Sequence, residues 1–202
     1  MNIFEETLAA YFQTTGFGKI RRLRVGIAGL GGLGSNCASY LVRSGFRRFV
    51  LCDHDTVEPA NLNRQFYFLR QVGMHKTEAL KANLEQINPD LDISLETVRV
   101  SEENAGRLFS SCEVVVEAFD AACAKEMLAR AYSRSGRLFV SASGIAGWAD
   151  ADRITTRRIH ERFYLVGDCS TPASAQIPPC APRVAVAAAK QANIILSWAL
   201  FR

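Results

Sequence analysis

The sequence predicts an α/β fold, a mainly parallel sheet with helices on both faces and an antiparallel C-terminal extension. Three observations carry this. Short apolar runs at 24–28, 49–52, 114–118 and 138–143 read as strands buried on both sides. Segments of helical spacing separate them, so each strand leads into a crossover. Between the first strand and the first of these helices, Gly29, Gly31 and Gly34 give the spacing G-x-G-x-x-G, the pattern of a Rossmann-like nucleotide loop.

Taken in order, Asn2 to Gln13 form an amphipathic helix with Phe4, Leu8, Tyr11 and Phe12 on one face. Arg24 to Ala28 follow as the first strand. Leu33, Cys37, Tyr40, Leu41 and Ser44 then repeat at helical spacing, and Gly45 stands where a C-terminal glycine closes a helix. Phe49 to Cys52 form the second strand, ending at Asp53. Asp53 to Gln71 read as a polar loop with short helical turns, after which Lys76 starts a helix with Ala79, Leu80, Leu84 and Ile87 on its apolar face, stopped at Asn88-Pro89.

Ile93, Leu95 and Val98 suggest a strand, Ala105 to Phe109 a short helix, and Val114 to Ala118 a buried parallel strand with Asp120 just beyond its end. Ala121 to Ser135 are a further crossover helix and Leu138 to Ser143 the next strand. Past Gly144 the pattern changes: Ile154 to Ile159 and Phe163 to Val166 read as strands of a more antiparallel kind, and Gly167 to Ala181 as a polar loop. Pro182 opens the last helix, Arg183 to Leu200, so apolar that it must bury most of its surface in its own core or against a second subunit. No repeat or low-complexity linker divides residues 1–202, which therefore read as one nucleotide-binding domain.

The composition excludes several classes. With 202 residues, 49% hydrophobic and 22% charged, the chain can fill one core. It shows no signal-peptide order and no uninterrupted membrane-length run, which points to the cytoplasm. Six scattered cysteines fit free thiols in a reducing compartment. A net charge of +4 is mild, and no basic stretch interleaved with aromatics suggests a nucleic-acid platform.

Glycines belong in the loop because the backbone must turn sharply and approach a phosphate, whose charge then meets the free N–H groups of a helix N-terminus. Asp53, about twenty residues on, stands where a carboxylate receives a ribose hydroxyl. An NAD enzyme would share both features. After Asp53, however, D-H-D-T-V leads into Asn61, Asn63, Arg64 and Gln65 and then Lys76, a set suited to the greater charge of a triphosphate. Each residue alone has a plainer use: Asp53 as a turn cap, Lys76 as a solvated helix start, Asp120 as an N-cap. Their joint order favours function. His54 and His75 read as surface residues, and Trp148 and Trp198 as packing residues.

The runs GLGGLGS, D-x-D-x-V, A-N-L-N-R-Q, G-x-x-K ending at Lys76, I-N-P at 87–89 and V-V-E-A-F-D ending at Asp120 resemble the ThiF/MoeB family of the ubiquitin-activating-enzyme superfamily, in a short zinc-free ThiF-like form. The similarity runs from Leu23 to Phe201. It implies adenylation of the C-terminal glycine carboxylate of a ubiquitin-like, ThiS-like sulfur carrier protein, with thiamine biosynthesis favoured over molybdopterin synthesis. It also implies a homodimer. Carried over by motif, Gly29, Gly31 and Gly32 hold the phosphates, Asp53 the ribose, and Asn61, Arg64 and Lys76 the phosphate charge, while Asp120 is the carboxylate for the Mg²⁺ that accompanies ATP.

The chain departs from the family pattern in three places. Asp120 is followed by Ala121 instead of asparagine, no C-x-x-C is present for zinc, and the loop that carries a reactive cysteine in some relatives offers Cys169 and Cys180. Cys180 is ranked first, because Arg183 follows it at a helix start whereas Asp168 precedes Cys169. No arginine occurs before Arg21, so the role of the arginine that in many relatives reaches in from a neighbouring subunit falls to Lys19, Arg21 or Arg22, with Arg21 or Arg22 favoured, or is missing. The readings set against adenylation of a sulfur carrier are a nicotinamide-dependent oxidoreductase and a non-catalytic carrier-binding scaffold, with a tRNA-modifying relative of the same superfamily as a lesser alternative.

Overall fold

The computed structural model describes residues 1–202 apart from the side chain of Thr14. Its elements run α1 (Ile3–Arg22), β1 (Arg24–Ala28), α2 (Gly32–Arg43), β2 (Arg48–Cys52), α3 (Lys76–Glu85), β3 (Asp92–Glu96), α4 (Glu102–Leu108), β4 (Val114–Glu117), α5 (Ala122–Tyr132), β5 (Leu138–Ala142), β6 (Thr155–His160), β7 (Phe163–Gly167) and α6 (Ala181–Phe201). The strands form one sheet in the order β3-β2-β1-β4-β5-β7-β6. All pairs are parallel except β6 with β7.

Alternation within the strands sets the layers. Val25 and Ile27, Phe49 and Leu51, Val114 and Val116, and Leu138 and Val140 point into a core with α1, α2, α3 and α6. Ala28, Val50, Cys52, Val115 and Phe139 face α4 and α5. Gly26 lies on this second face because a Cβ there would sit 2.5 Å from the Phe109 ring. Every residue of β4 and β5 is buried, apolar except for Glu117 and Ser141, which bond to each other, so neither strand has a solvated face.

Most expected elements are present, and the differences have local causes. The first helix does not stop at Gln13: it resumes past that residue, which sits at φ 57° and ψ 157°, and continues to Arg22. The third strand is Asp92–Glu96 and excludes Val98. Of the two strands expected as antiparallel, only β6 is so; β7 registers parallel with β5, Phe139 opposite Phe163, and the hairpin then turns β6 onto the outer edge. Gly45 adopts φ 95° just past the C-cap Ser44, as a helix-closing glycine requires.

α6 is long and apolar enough to span a bilayer by composition alone, yet it packs across α2 and onto β5 and β7 with Val184, Ala187, Ala188, Ala192 and Ile195 buried. One face of α6 is thus buried within the chain, while the rest of the helix is half-buried or exposed.

Candidate active site

Strand order reverses between β1 and β4: β2 and β3 lie to one side, β5 and β7 to the other. At such a point the loops leaving the carboxyl ends of adjacent strands diverge and open a crevice. A cavity of about 400 Å³ occupies it, a volume suited to a small ligand. The glycine loop forms its floor. Gly29 takes φ 90° and packs so closely that a Cβ would lie 2.9 Å from the Ala118 carbonyl oxygen. Gly34 leaves no space at all, because a Cβ there would run into the carbonyl of Gly29. Gly31 is different: its nearest neighbour would be Gln65 Nε2 at 3.8 Å, so it opens onto the cavity. As the N-cap of α2, Gly31 has no side chain to satisfy the first-turn amides, which leaves them for an anion.

The loop after β2 builds one wall. Asp53 is nearly buried, and both carboxylate oxygens are in use: Oδ2 accepts from Leu30 N at 2.6 Å and Oδ1 from Asp55 N at 2.9 Å. It therefore braces the glycine loop as well as lining the cavity. Lys76, 6% exposed, starts α3 and reaches back to Asp55 with Nζ to Oδ2 at 2.7 Å. Burial on its own would raise the Asp55 carboxyl, but the Lys76 hydrogen bond and charge hold it below its ordinary value. His54 Nε2 lies 3.3 Å from Asp55 Oδ1, and the ligand atoms of Asp53, His54 and Asp55 all fall within 4.8 Å of one another.

Arg64 lines the same cavity, its Nη1 donating to Ala60 O at 3.1 Å and Asn63 Oδ1 at 2.7 Å. Its backbone is clamped to α2. Asn36 Nδ2 donates to the carbonyls of both Gly32 and Arg64, and the Ser35 hydroxyl donates to Gly31 O while accepting from Phe66 N.

Asp120, one residue short of the α5 N-cap Ala121, is exposed at the mouth of the crevice and is therefore not the cap itself. An exposed carboxylate facing a phosphate-sized crevice fits a Mg²⁺ that arrives with a nucleotide and uses one or two protein carboxylates. The open amides at Gly31, the two cations and Asp53 fit ATP in the same way.

Three expectations change. Asn61 does not line the cavity; it is buried, with Oδ1 accepting from Glu58 N at 3.0 Å in a single 3₁₀ turn, because that turn needs its own cap. Gln65 lines the cavity nearby, its Oε1 buried without a partner. Cys169 and Cys180 also lie off the cavity lining, Cys180 being the α6 N-cap with Sγ 3.6 Å from Pro178 O. The charges used to rank them are paired with each other: Arg183 Nη2 is 2.7 Å from Asp168 Oδ2, and both side chains are buried. Arg21, a candidate for reaching a neighbouring subunit, instead pairs with Glu5 at 3.2 Å.

Lys125 had no sequence signal. From α5 it reaches the cavity with Nζ 3.1 Å from the buried Glu117 carboxylate and 2.9 Å from Ala142 O. Ser141 Oγ and Phe119 N also donate to Glu117. Cys37 and Cys52 are pushed up to about 12, chiefly by burial, so they are protonated packing thiols.

Structures similar to this one include Escherichia coli tRNA N6-threonylcarbamoyladenosine dehydratase, TcdA, in complex with AMP, with a TM-score of 0.87 at 20% identity, covering 97% of this chain and 93% of that one. Another is E. coli MccB with ATP, with a TM-score of 0.72 at 20% identity, covering 98% and 64%. In sequence, ubiquitin-like modifier-activating enzyme 5 of Arabidopsis thaliana is 43% identical over 93 residues, 46% of this chain and 22% of that protein. The adenylyltransferase and sulfurtransferase UBA4 of Candida glabrata is 33% identical over 128 residues, 63% and 30%. The chain thus spans less than a third of these two relatives. The model of the ThiF family matches residues 5–196, nearly the whole length and every wall of the crevice, and the chain belongs to that family.

Proposed function

We propose that this protein is an ATP-dependent adenylyltransferase that activates the C-terminal glycine carboxylate of a ubiquitin-like sulfur carrier protein, ThiS-like, in thiamine biosynthesis. The observation that carries it is convergence: Arg64, Lys76 and Asp120 meet around the open Gly31 turn in one crevice. A dinucleotide site has no use for two cations and an outward carboxylate beyond the ribose acid. The names of UBA4 and of modifier-activating enzyme 5 support the substrate class.

In the proposed reaction a carrier carboxylate oxygen attacks the α-phosphorus, the bond to the bridging oxygen of pyrophosphate breaks, and the products are acyl-adenylate and pyrophosphate. Negative charge grows on the leaving group, and Lys76 and Arg64 are placed to offset it. Mg²⁺ held by Asp120 would add to that neutralisation. The α2 amides orient the phosphates, and Asp53 takes the ribose while fixing the loop.

A homodimer is proposed alongside, supported by Tyr11 and Phe201, large apolar side chains left exposed on α1 and α6. Sedimentation at micromolar concentration that finds only monomer would remove this part.

The decisive experiment is mass spectrometry of candidate carriers after incubation with the protein and Mg-ATP. A mass gain of one AMP on a carrier, lost in Asp120→Ala, supports the proposal. NAD binding without ATP–pyrophosphate exchange would overturn it in favour of an oxidoreductase, and carrier binding without exchange in favour of a scaffold.

A further inference from the structure

The crevice has two sides with different chemistry. Asp53, Arg64 and Lys76 stand on the β2 side, and Asp120 and Lys125 follow β4. On the β5 and β7 side, beyond Lys125 Nζ at the end of β5, the two loops line the cavity with uncharged residues: Ser143, Gly144, Ile145 and Ala146 from the loop after β5, and Thr171 and Pro172 from the loop after β7. Two charges of these loops lie behind that wall, where Asp168 and Arg183 are 9% and 2% exposed.

These two residues tie three chain segments together. Asp168 Oδ1 accepts from Ser170 N and Thr171 N, both at 2.8 Å, and Oδ2 accepts from Thr171 Oγ1 at 2.6 Å and Arg183 Nη2 at 2.7 Å. Arg183, on the first turn of α6, also donates to Ala149 O and Asp150 O at the far end of the loop after β5. The two loops are laced directly as well, Asp168 N to Gly144 O at 3.0 Å, Cys169 N to Ser143 O at 3.1 Å and Ala146 N to Thr171 O at 3.3 Å. Gly144, at φ 70°, has no space for a Cβ against Asp168 and the amides of Cys169 and Ser170.

A planar guanidinium can serve a carboxylate and two carbonyls at once, which an ammonium cannot do in fixed directions. Nothing here touches the charged half of the crevice. Resting on the adenylation proposal, we infer that Asp168 and Arg183 are a positioning pair for the acyl substrate: they hold the uncharged wall along which the carrier's narrow C-terminal tail lies, and they do not act on the nucleotide.

The wall's uncharged lining fits a glycine backbone, which offers only amides and carbonyls. Loosening it should weaken use of the carrier and leave ATP untouched.

The test compares wild type with Arg183→Lys and Arg183→Met in two assays, ATP binding by calorimetry without carrier and AMP transfer over a range of carrier concentrations. ATP affinity is expected to stay within about twofold, while the KM for carrier rises about tenfold in Arg183→Met and less in Arg183→Lys, with kcat at saturating carrier little changed. A parallel fall in ATP affinity and carrier use, or an unchanged carrier KM in folded Arg183→Lys and Arg183→Met, would overturn the assignment. If Arg183→Met does not fold, Arg183→Lys decides by the same criterion. Absence of AMP transfer in the wild type fails the adenylation proposal instead; proteolysis of the 169–180 loop then reports on the pair, which predicts faster cleavage in Arg183→Lys than in wild type and is overturned by equal rates.

Discussion

Lys76 Nζ sits 2.7 Å from Asp55 Oδ2, so the cation expected on the phosphates is held by the second aspartate of D-H-D. Asp55 is half-exposed whereas Lys76 is buried, so the pair holds the ammonium at the crevice wall and leaves the carboxylate facing outward. Lys76→Met should abolish ATP–pyrophosphate exchange. Asp55→Asn, which keeps an acceptor oxygen, should retain exchange with a raised KM for ATP and cost about 1 kcal/mol of stability, the range of a partly exposed pair. Equal loss in both variants would mean that Asp55 has a role of its own in the chemistry.

Gly31 and Gly34 belong to one motif but differ in what surrounds them. A methyl at Gly31 points into open cavity space at φ −73°, an ordinary value for alanine. Gly31→Ala should therefore keep the melting temperature and weaken ATP binding. Gly34→Ala drives a carbon into the Gly29 carbonyl and should cost about 3 kcal/mol, as overpacking does. Thermal melts and ATP titrations of the two variants check the contrast, and a stability loss in Gly31→Ala would count against its open position.

Asp53 accepts from two backbone amides, so its removal leaves both donors unpaired. Asp53→Ala should lose about 1–3 kcal/mol in chemical denaturation as well as ATP affinity, the cost of unmade buried hydrogen bonds. Asp120→Ala, whose side chain is exposed, should lose activity without that stability change. A variant of Asp53 with full stability would show that the ribose contact is its sole role.

Burial on its own would raise the Asp168 carboxyl, but the Thr171 hydroxyl and the amides of Ser170 and Thr171 hold it well below the usual carboxylate range. A group depressed in the folded state contributes stability above its unfolded pKa, about 3.9 for aspartate, and loses it as pH falls toward the folded value. Denaturation midpoints should thus be steady from neutrality to about pH 4 and fall steeply below. Asp168→Asn should start lower at neutral pH, by about 3 kcal/mol for a broken buried pair, and show a shallower acid limb. An identical acid limb in that variant would contradict this.

Sequence alone determined what depends on neighbours along the chain. The glycine spacing, the strand before it and the helix after it are one local unit, and the turn of Gly29 and the close of α2 at Gly45 follow from it. The buried strands β4 and β5 were legible because strands covered on both faces are rich in apolar residues, here Val114 to Val116 and Leu138 to Val140. Order along the chain also placed Asp53, Arg64, Lys76 and Asp120 in one motif series.

What only the tertiary structure decided is which side chains meet. Asn61 and Gln65 stand four residues apart in the same polar segment, yet one caps a turn and the other faces the crevice, a difference set by how Ser35 and Asn36 clamp that segment to α2. Lys125 reaches the cavity because β4 and β5 are neighbours, which brings Ala142 and Glu117 under it. Asp168 and Arg183 form one buried pair because β7 lies parallel beside β5, and that register depends on strand order. Hydrogen bonds and charge pairs act over a few ångströms in space, and no spacing in the sequence measures that distance across a crossover.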